Sequence, residues 1–128
     1  MSNDKKDKIY DLEERTAKLG EDIIEFAKKV PRNVITIPLI GQLVNAGTSV
    51  GGNYCEADCA ESRKDFEHKL GICKKESKET KHWLRMIAKA VPELRDEAKI
   101  LWKEANELQR IFISIVKKSQ SHSDENNK

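Results

Sequence analysis

The segment GTSVGGNYC, residues 47–55, combines three glycines with hydroxyl and amide side chains, a composition found in loops that bind phosphate. Such a loop follows a β-strand, precedes a helix and places a lysine against the phosphates. Here Asn53 follows the glycine pair, and the first lysine downstream is Lys64. Gly47 and Gly51 are instead four residues apart, so on a helix they share one face that a neighbouring backbone can approach closely. We therefore predict a packing surface here and no nucleotide-binding loop.

Cysteine and histidine spacing does not define a metal site. Cys55 and Cys59 lie one helical turn apart, whereas zinc sites usually use tighter loop spacing and a second pair of ligands. Glu79 and His82 form one Glu-x-x-His step, but a di-iron bundle needs two such steps and two further glutamates. We predict free, buried thiols, no metal and no cofactor.

No grouping of side chains indicates catalysis. Three histidines are few, and His122 lies in a polar tail. Paired carboxylates are unavoidable in a chain in which 36% of residues are charged, so their presence does not mark an active site. We predict no catalytic residues and a protein that is not an enzyme.

Positive charge is concentrated in one segment. The whole chain has a net charge of +2, but residues 63–89 contain nine lysines and arginines against four acidic residues, a local charge of +5. Four of these cations are spaced four, three and four residues apart and form one ridge on a helix: Lys74, Lys78, Lys81 and Arg85. Two interpretations stay open: a surface that binds the phosphates of RNA or DNA, and a solvated face that Glu76 and Glu79 balance.

Apolar residues recur at steps of three and four in four segments, which predicts four amphipathic helices. The first extends from about Ile9 to Val30, and Pro31 ends it. Residues 32–37 are expected to form a connector, because a lone strand would leave its backbone unpaired. Pro38 then opens the second helix.

The third predicted helix begins at Ser62, whose hydroxyl is suited to capping, and its apolar stripe runs from Phe66 to Ile87. Pro92 opens the fourth helix.

Short connections between these segments favour an all-α, antiparallel up-down four-helix bundle. We predict one domain over residues 9–118, a frayed N-terminus at 1–8 and a disordered polar tail at 119–128.

The chain of 128 residues is long enough for one such domain. No apolar run approaches the roughly 20 residues that cross a bilayer, so no membrane association is expected. The N-terminal segment has no apolar core typical of an export signal, and the cysteine count is odd, so we expect a cytoplasmic protein.

Two stretches carry a family resemblance: GTSVGGNYCEADCAESRKDF at residues 47–66 and HKLGICKKESKETKHWLRMI at residues 68–87. They resemble the bacterial four-helix-bundle proteins encoded in intervening sequences of large-subunit (23S) ribosomal RNA genes. The pattern is carried by an ordered set of residues: Ser49, Val50, Asn53, Glu56, Ser62, Asp65, Phe66 and Glu79.

This resemblance implies a four-helix bundle that assembles into a cyclic homopentamer. It also implies a distant similarity to the accessory variability protein of diversity-generating retroelements, a pentameric barrel that binds reverse transcriptase and nucleic acid. The family has no established activity, so the resemblance supplies no reaction.

Four polar residues of the pattern are candidate site residues: Asn53, Glu56, Ser62 and Glu79. We predict that they form a cluster that holds the corner between the second and third helices, with Glu56 accepting a hydrogen bond from Ser62 or from a nearby backbone donor. The competing hypothesis places them at a subunit interface or in an RNA-binding groove.

The predicted function is a non-enzymatic, ring-forming assembly protein that binds RNA or DNA through the basic third helix. The alternative is a scaffold whose partner is another protein.

Overall fold

A computed structural model describes the backbone of residues 11–126 and the side chains of residues 11–122, and this part of the chain folds into four helices without a β-strand. A short 3-10 turn precedes the last helix. The helices are α1 (Leu12–Lys29), α2 (Thr36–Asp58), α3 (Arg63–Ala90) and α4 (Arg95–Asn126), and the turn is Pro92–Leu94.

Consecutive helices pack side by side in opposite directions. Lys69 of α3 donates a hydrogen bond to Glu56 of α2, and one turn further along α3 Cys73 donates to Val50, which lies earlier in α2. The first and last helices also pack against each other, which closes the bundle. The predicted all-α, four-helix fold is therefore confirmed. None of the described helices combines the length and the apolar character that spanning a bilayer requires.

The second helix begins two residues before the predicted start at Pro38. Asn33 caps this end, because its Oδ1 accepts hydrogen bonds from the backbone N–H groups of Ile35 and Thr36, both at 2.9 Å. Pro38 still lies in the first turn, where a helix leaves its N–H groups without intrahelical partners. The sequence prediction relied on the proline and overlooked the cap.

The third helix begins as predicted. The Oγ atom of Ser62 accepts a hydrogen bond from the backbone N–H of Asp65 at 3.0 Å, which satisfies one of the free donors of the first turn. One stripe of α3 is buried between its neighbours, as its spacing predicts: Leu70, Cys73, Ser77, Thr80, Leu84 and Ile87. The two hydroxyl groups in this stripe each donate to a backbone carbonyl one turn earlier, at 2.8 Å, so their burial leaves no donor unpaired.

The first two helices approach closely at the glycines of α2. A Cβ atom at Gly51 would lie 3.2 Å from the backbone oxygen of Thr16, and one at Gly47 would lie 2.4 Å from Cδ1 of Ile23. At Gly52, which faces outward, a Cβ would meet nothing within 4 Å. The predicted close approach of a neighbouring backbone is confirmed at Gly51, whereas at Gly47 the neighbour is the side chain of Ile23.

The end of the chain differs from the sequence prediction of a disordered tail over residues 119–128. Helix α4 continues through Asn126, and the Ser119 hydroxyl donates a hydrogen bond to the Glu67 carboxylate on α3. No glycine or proline follows Pro92, so the chain contains no helix breaker at this end. A polar composition indicated disorder, but it does not by itself prevent a helix that is already nucleated from continuing. Residues 127–128 and the predicted frayed segment 1–8 lie outside the described residues.

Alanine at Gly51 is expected to lower the free energy of unfolding by about 0.5–2 kcal/mol, because the added methyl group presses on the α1 backbone and the gain in helix propensity offsets only part of that cost. The matched control is Gly52→Ala, which is expected to raise it by about 0.5–1 kcal/mol through helix propensity alone. Urea denaturation measures both. Equal stabilisation by the two substitutions would contradict the close contact at Gly51.

Candidate nucleic-acid interface

Three of the four predicted cations on α3 are exposed and free of carboxylates. Lys74, Lys78 and Arg85 project from α3 into solvent, and among the described residues no ion pair includes them. They share the face of the helix that borders α4, in line with their spacing of four and seven residues. The structure therefore brings these three together as one ridge.

The fourth cation, Lys81, is part of the contact between α3 and α4. Its Nζ donates a hydrogen bond of 2.8 Å to Oδ1 of Asn106 and lies 5.0 Å from the ring centroid of Trp102. Burial lowers the pKa of Lys81, and repulsion from Lys78 lowers it further. The ammonium group thus positions α4 side chains, a role that the sequence pattern did not distinguish from solvent exposure.

Every cation of α1 has a carboxylate partner, in contrast to the three cations of the α3 ridge. Two pairs lie within the helix, and the others cross to α4, where the strongest contact joins Arg15 to Glu104 at 2.8 Å. Hydrogen bonding to Glu104 raises the pKa of Arg15. The pairs of α1 are Arg15 with Glu104 and Glu107, Lys18 with Asp22, Lys28 with Glu25, and Lys29 with Glu97.

Opposite sides of α4 carry opposite charges. Glu97, Glu104 and Glu107 face α1 and pair with its cations. Arg95 and Lys99 face α3, where they line a cleft of about 290 Å³ together with Arg85. The rest of the cleft wall is apolar and consists of Leu84, Ala88, Ala98 and Trp102. Sequence reasoning missed this cleft, although the spacing of residues 95, 99 and 102 on one face of α4 was a signal for it.

The predicted polar cluster at the corner between α2 and α3 is not assembled. Asn53 donates to the backbone carbonyl of Ser49 at 2.9 Å, and Ser62 acts as the cap of α3. Glu56 accepts from Lys69, whose pKa this contact raises, and not from Ser62. Glu79 is exposed and follows Ser62 by 17 residues, or roughly 25 Å along the helix.

The cysteines lie in different surroundings. The prediction of buried thiols holds for Cys73, whose Sγ donates to the carbonyl of Val50 at 3.6 Å, and is wrong for Cys55 and Cys59, which are exposed near the end of α2. Burial raises the pKa of the Cys73 thiol to about 12, so almost no reactive thiolate forms there near neutral pH. Over residues 11–122, histidine, cysteine and acidic side chains do not come together in a group of three that would suit a metal ion.

Comparisons with known proteins show the family of this chain. The family model of the 23S rRNA-intervening sequence protein matches residues 8–122. The chain belongs to this family. A solved structure from Bacteroides thetaiotaomicron VPI-5482, described as a protein with unknown function from the S23 ribosomal protein family, is 28% identical and has a TM-score of 0.74. The similarity covers 83% of this chain and 98% of that one. Among curated proteins the comparison found no match.

We expect two thiols to react with a thiol reagent such as dithionitrobenzoate in the native protein and three after denaturation. The exposed Cys55 and Cys59 are accessible, and the buried Cys73 is not. A Cys73→Ala variant should release the same number of equivalents in the native and the denatured state. Rapid reaction of all three thiols under native conditions would contradict the burial of Cys73.

Proposed function

We propose that this family member is a non-enzymatic, ring-forming assembly protein that binds RNA or DNA through the surface formed by α3 and α4. The observation that supports nucleic-acid binding is the unequal pairing of charge. Every cation of α1 has a carboxylate partner, whereas Lys74, Lys78 and Arg85 have none among the described residues.

Unpaired cations on one face favour a polyanion for a physical reason. A lysine that already contacts a carboxylate must give up that contact before it binds a phosphate, and a solvated lysine need not. Each phosphate that is neutralised also releases a condensed counterion, which makes the affinity strongly dependent on salt and largely independent of sequence. A ring of identical subunits would repeat the +5 charge of residues 63–89 around its axis and strengthen this attraction.

Assembly into a ring, which we propose to be a cyclic homopentamer, finds support in a separate apolar patch. Val34, Ile35 and Ile37, in the connector and first turn of α2, are 88%, 64% and 56% exposed. Neighbouring apolar side chains with such exposure mark interaction sites more often than single ones do. The same patch favours the second candidate function, a scaffold whose partner is another protein.

Charge reversal at the three unpaired cations is expected to weaken RNA binding by at least 10-fold. The variant combines Lys74→Glu, Lys78→Glu and Arg85→Glu and leaves Lys81 intact, because Lys81 contacts α4. Loss of three phosphate contacts should also reduce the slope of log affinity against log salt by about two for a single strand. Because the family is named for intervening sequences of 23S rRNA, RNA is the first probe to use, in a gel-shift titration at several salt concentrations.

A matched control carries the same change in net charge on α1: Lys18→Glu, Lys28→Glu and Lys29→Glu. It should bind nearly as well as the unmodified protein. Equal weakening by both variants would show that only the net charge matters. Affinity that survives reversal on α3 would contradict the proposed surface, and absence of any shift at moderate salt would favour the scaffold.

Replacement of Ile35 by aspartate is expected to lower the oligomeric state without loss of helix content. The substitution places a charge in the exposed apolar patch, and a subunit contact there would remove that charge from water at a cost in free energy. Sedimentation velocity measures the oligomer, and circular dichroism checks the fold. Ile100→Asp is the control, since Ile100 on α4 is 68% exposed. An oligomer that only the control dissociates would move the contact to α4, and an oligomer that neither variant changes would contradict the role of the patch.

A further inference from the structure

We propose that the cleft between α3 and α4 binds one unpaired nucleotide of a single-stranded nucleic acid, with the base stacked on Trp102 and the phosphate held by Arg85, Arg95 and Lys99. This inference rests on the proposed nucleic-acid binding and makes it more specific. A charged surface attracts any polyanion, whereas this site distinguishes single strands from duplexes.

The size and lining of the cleft fit one nucleotide. Its volume of about 290 Å³ is close to the lower limit of roughly 300 Å³ for small-ligand pockets. Leu84 and Ala98 are buried and form an apolar floor, while Trp102 keeps 38% of its surface exposed. A nucleotide combines a base with an apolar face and a charged phosphate, which matches an apolar floor with cations at its edge.

Trp102 is held in place before any ligand arrives. The ammonium group of Lys81 lies over the ring at 5.0 Å from its centroid, and the same group donates to Asn106 at 2.8 Å. Trp102 lines the cleft and Lys81 does not, so we place the base against the part of the indole that borders the cleft. A fixed ring loses little side-chain entropy on binding, and an aromatic platform accepts any base because every base has a π-face.

The charges around the cleft select an anion. Arg85, Arg95 and Lys99 line it, and no lining residue is acidic. The neighbouring carboxylate of Glu97 is directed to the other side of α4, where it pairs with Lys29 at 2.9 Å. Guanidinium groups bind phosphate in a bidentate manner, and they also stack on planar rings. The cleft thus offers phosphate contacts without competition from a carboxylate in its own wall.

A duplex would use the surface differently. Its bases are stacked within the helix and cannot reach the indole, so it would contact only the exposed cations of the ridge. A single strand presents unstacked bases that can enter the cleft. We therefore expect Trp102 to contribute to the binding of single strands and to contribute nothing to the binding of duplexes.

The test uses tryptophan emission. The chain has two tryptophans, and Trp83→Phe leaves Trp102 as the single reporter. The probes are a 12-nucleotide oligouridylate and an RNA duplex of the same length. We expect the oligouridylate to quench Trp102 emission with the same midpoint as its fluorescence anisotropy titration. The duplex should bind without comparable quenching.

Two variants separate stacking from charge. Trp102→Leu should weaken oligouridylate binding by about 5- to 100-fold and leave duplex binding unchanged, because it retains an apolar wall but removes the π-face. The combination Arg85→Gln, Arg95→Gln and Lys99→Gln should weaken binding more than its matched control on α1, Lys18→Gln, Lys28→Gln and Lys29→Gln. Thermal unfolding followed by circular dichroism confirms that each variant is folded, and the quenching measurement needs no change at Trp102.

The outcomes distinguish this proposal from the broader one. Undiminished oligouridylate binding by Trp102→Leu, together with absent quenching, would refute the nucleotide site while the ridge of α3 still stands. Equal losses for single strand and duplex would also refute it, because stacking would then play no part. Absence of binding to either RNA would refute both proposals. Tighter binding and stronger quenching by a polyglutamate peptide would assign the cleft to an acidic protein partner instead.

Discussion

The architecture depends on how closely the backbone of α1 lies against α2. At Gly51 an added Cβ would be 3.2 Å from the Thr16 carbonyl oxygen, so the two helices share a contact that no larger residue can reproduce without moving one of them. An interior glycine costs about 0.5–1 kcal/mol relative to alanine, and the packing gained must offset that cost. The contact keeps α1 on the bundle, where its apolar stripe completes the core. It also fixes which side of α1 remains to face α4.

This placement of α1 determines where the charges of α4 are directed. Glutamates on one side of α4 meet cations of α1, as in the contacts of Arg15 with Glu104 and of Lys29 with Glu97. The exposed pair of Lys29 with Glu97 is worth only about 0–1 kcal/mol, whereas the bidentate, partly buried pair of Arg15 with Glu104 contributes more to the contact between α1 and α4. Both pairs also affect the charge of the surface. Because these glutamates of α4 pair with cations of α1, they do not neutralise Arg95 and Lys99 on the α3 side of α4. Arg95 and Lys99 therefore form, together with the ridge of α3, one region of unpaired positive charge.

Most of the fold could be predicted from the sequence, and most of the site could not. Apolar spacing located the helices and the buried stripe of α3, and Ser62 and Gly51 have the roles that their residue types indicated. Local patterns failed where a partner from another element decided the outcome. Spacing along α3 placed Lys81 among the solvated cations, whereas Asn106 and Trp102 of α4 bind it. The family pattern suggested one polar cluster, but Glu79 lies far along α3 from Ser62. The cleft around Trp102 depends on which faces of α3 and α4 meet, and spacing within one helix does not give that.

The most direct test of the central claim, that unpaired charge on α3 and α4 binds nucleic acid, is size-exclusion chromatography of the purified protein with light scattering and absorbance at 260 and 280 nm. At low ionic strength we expect an oligomer that carries excess absorbance at 260 nm. Raised salt should remove the excess and leave the oligomer intact, because phosphate contacts are released by salt and apolar subunit contacts are not. An oligomer or monomer that shows the absorbance ratio of pure protein at low salt, and that fails to take up added RNA, would contradict the account.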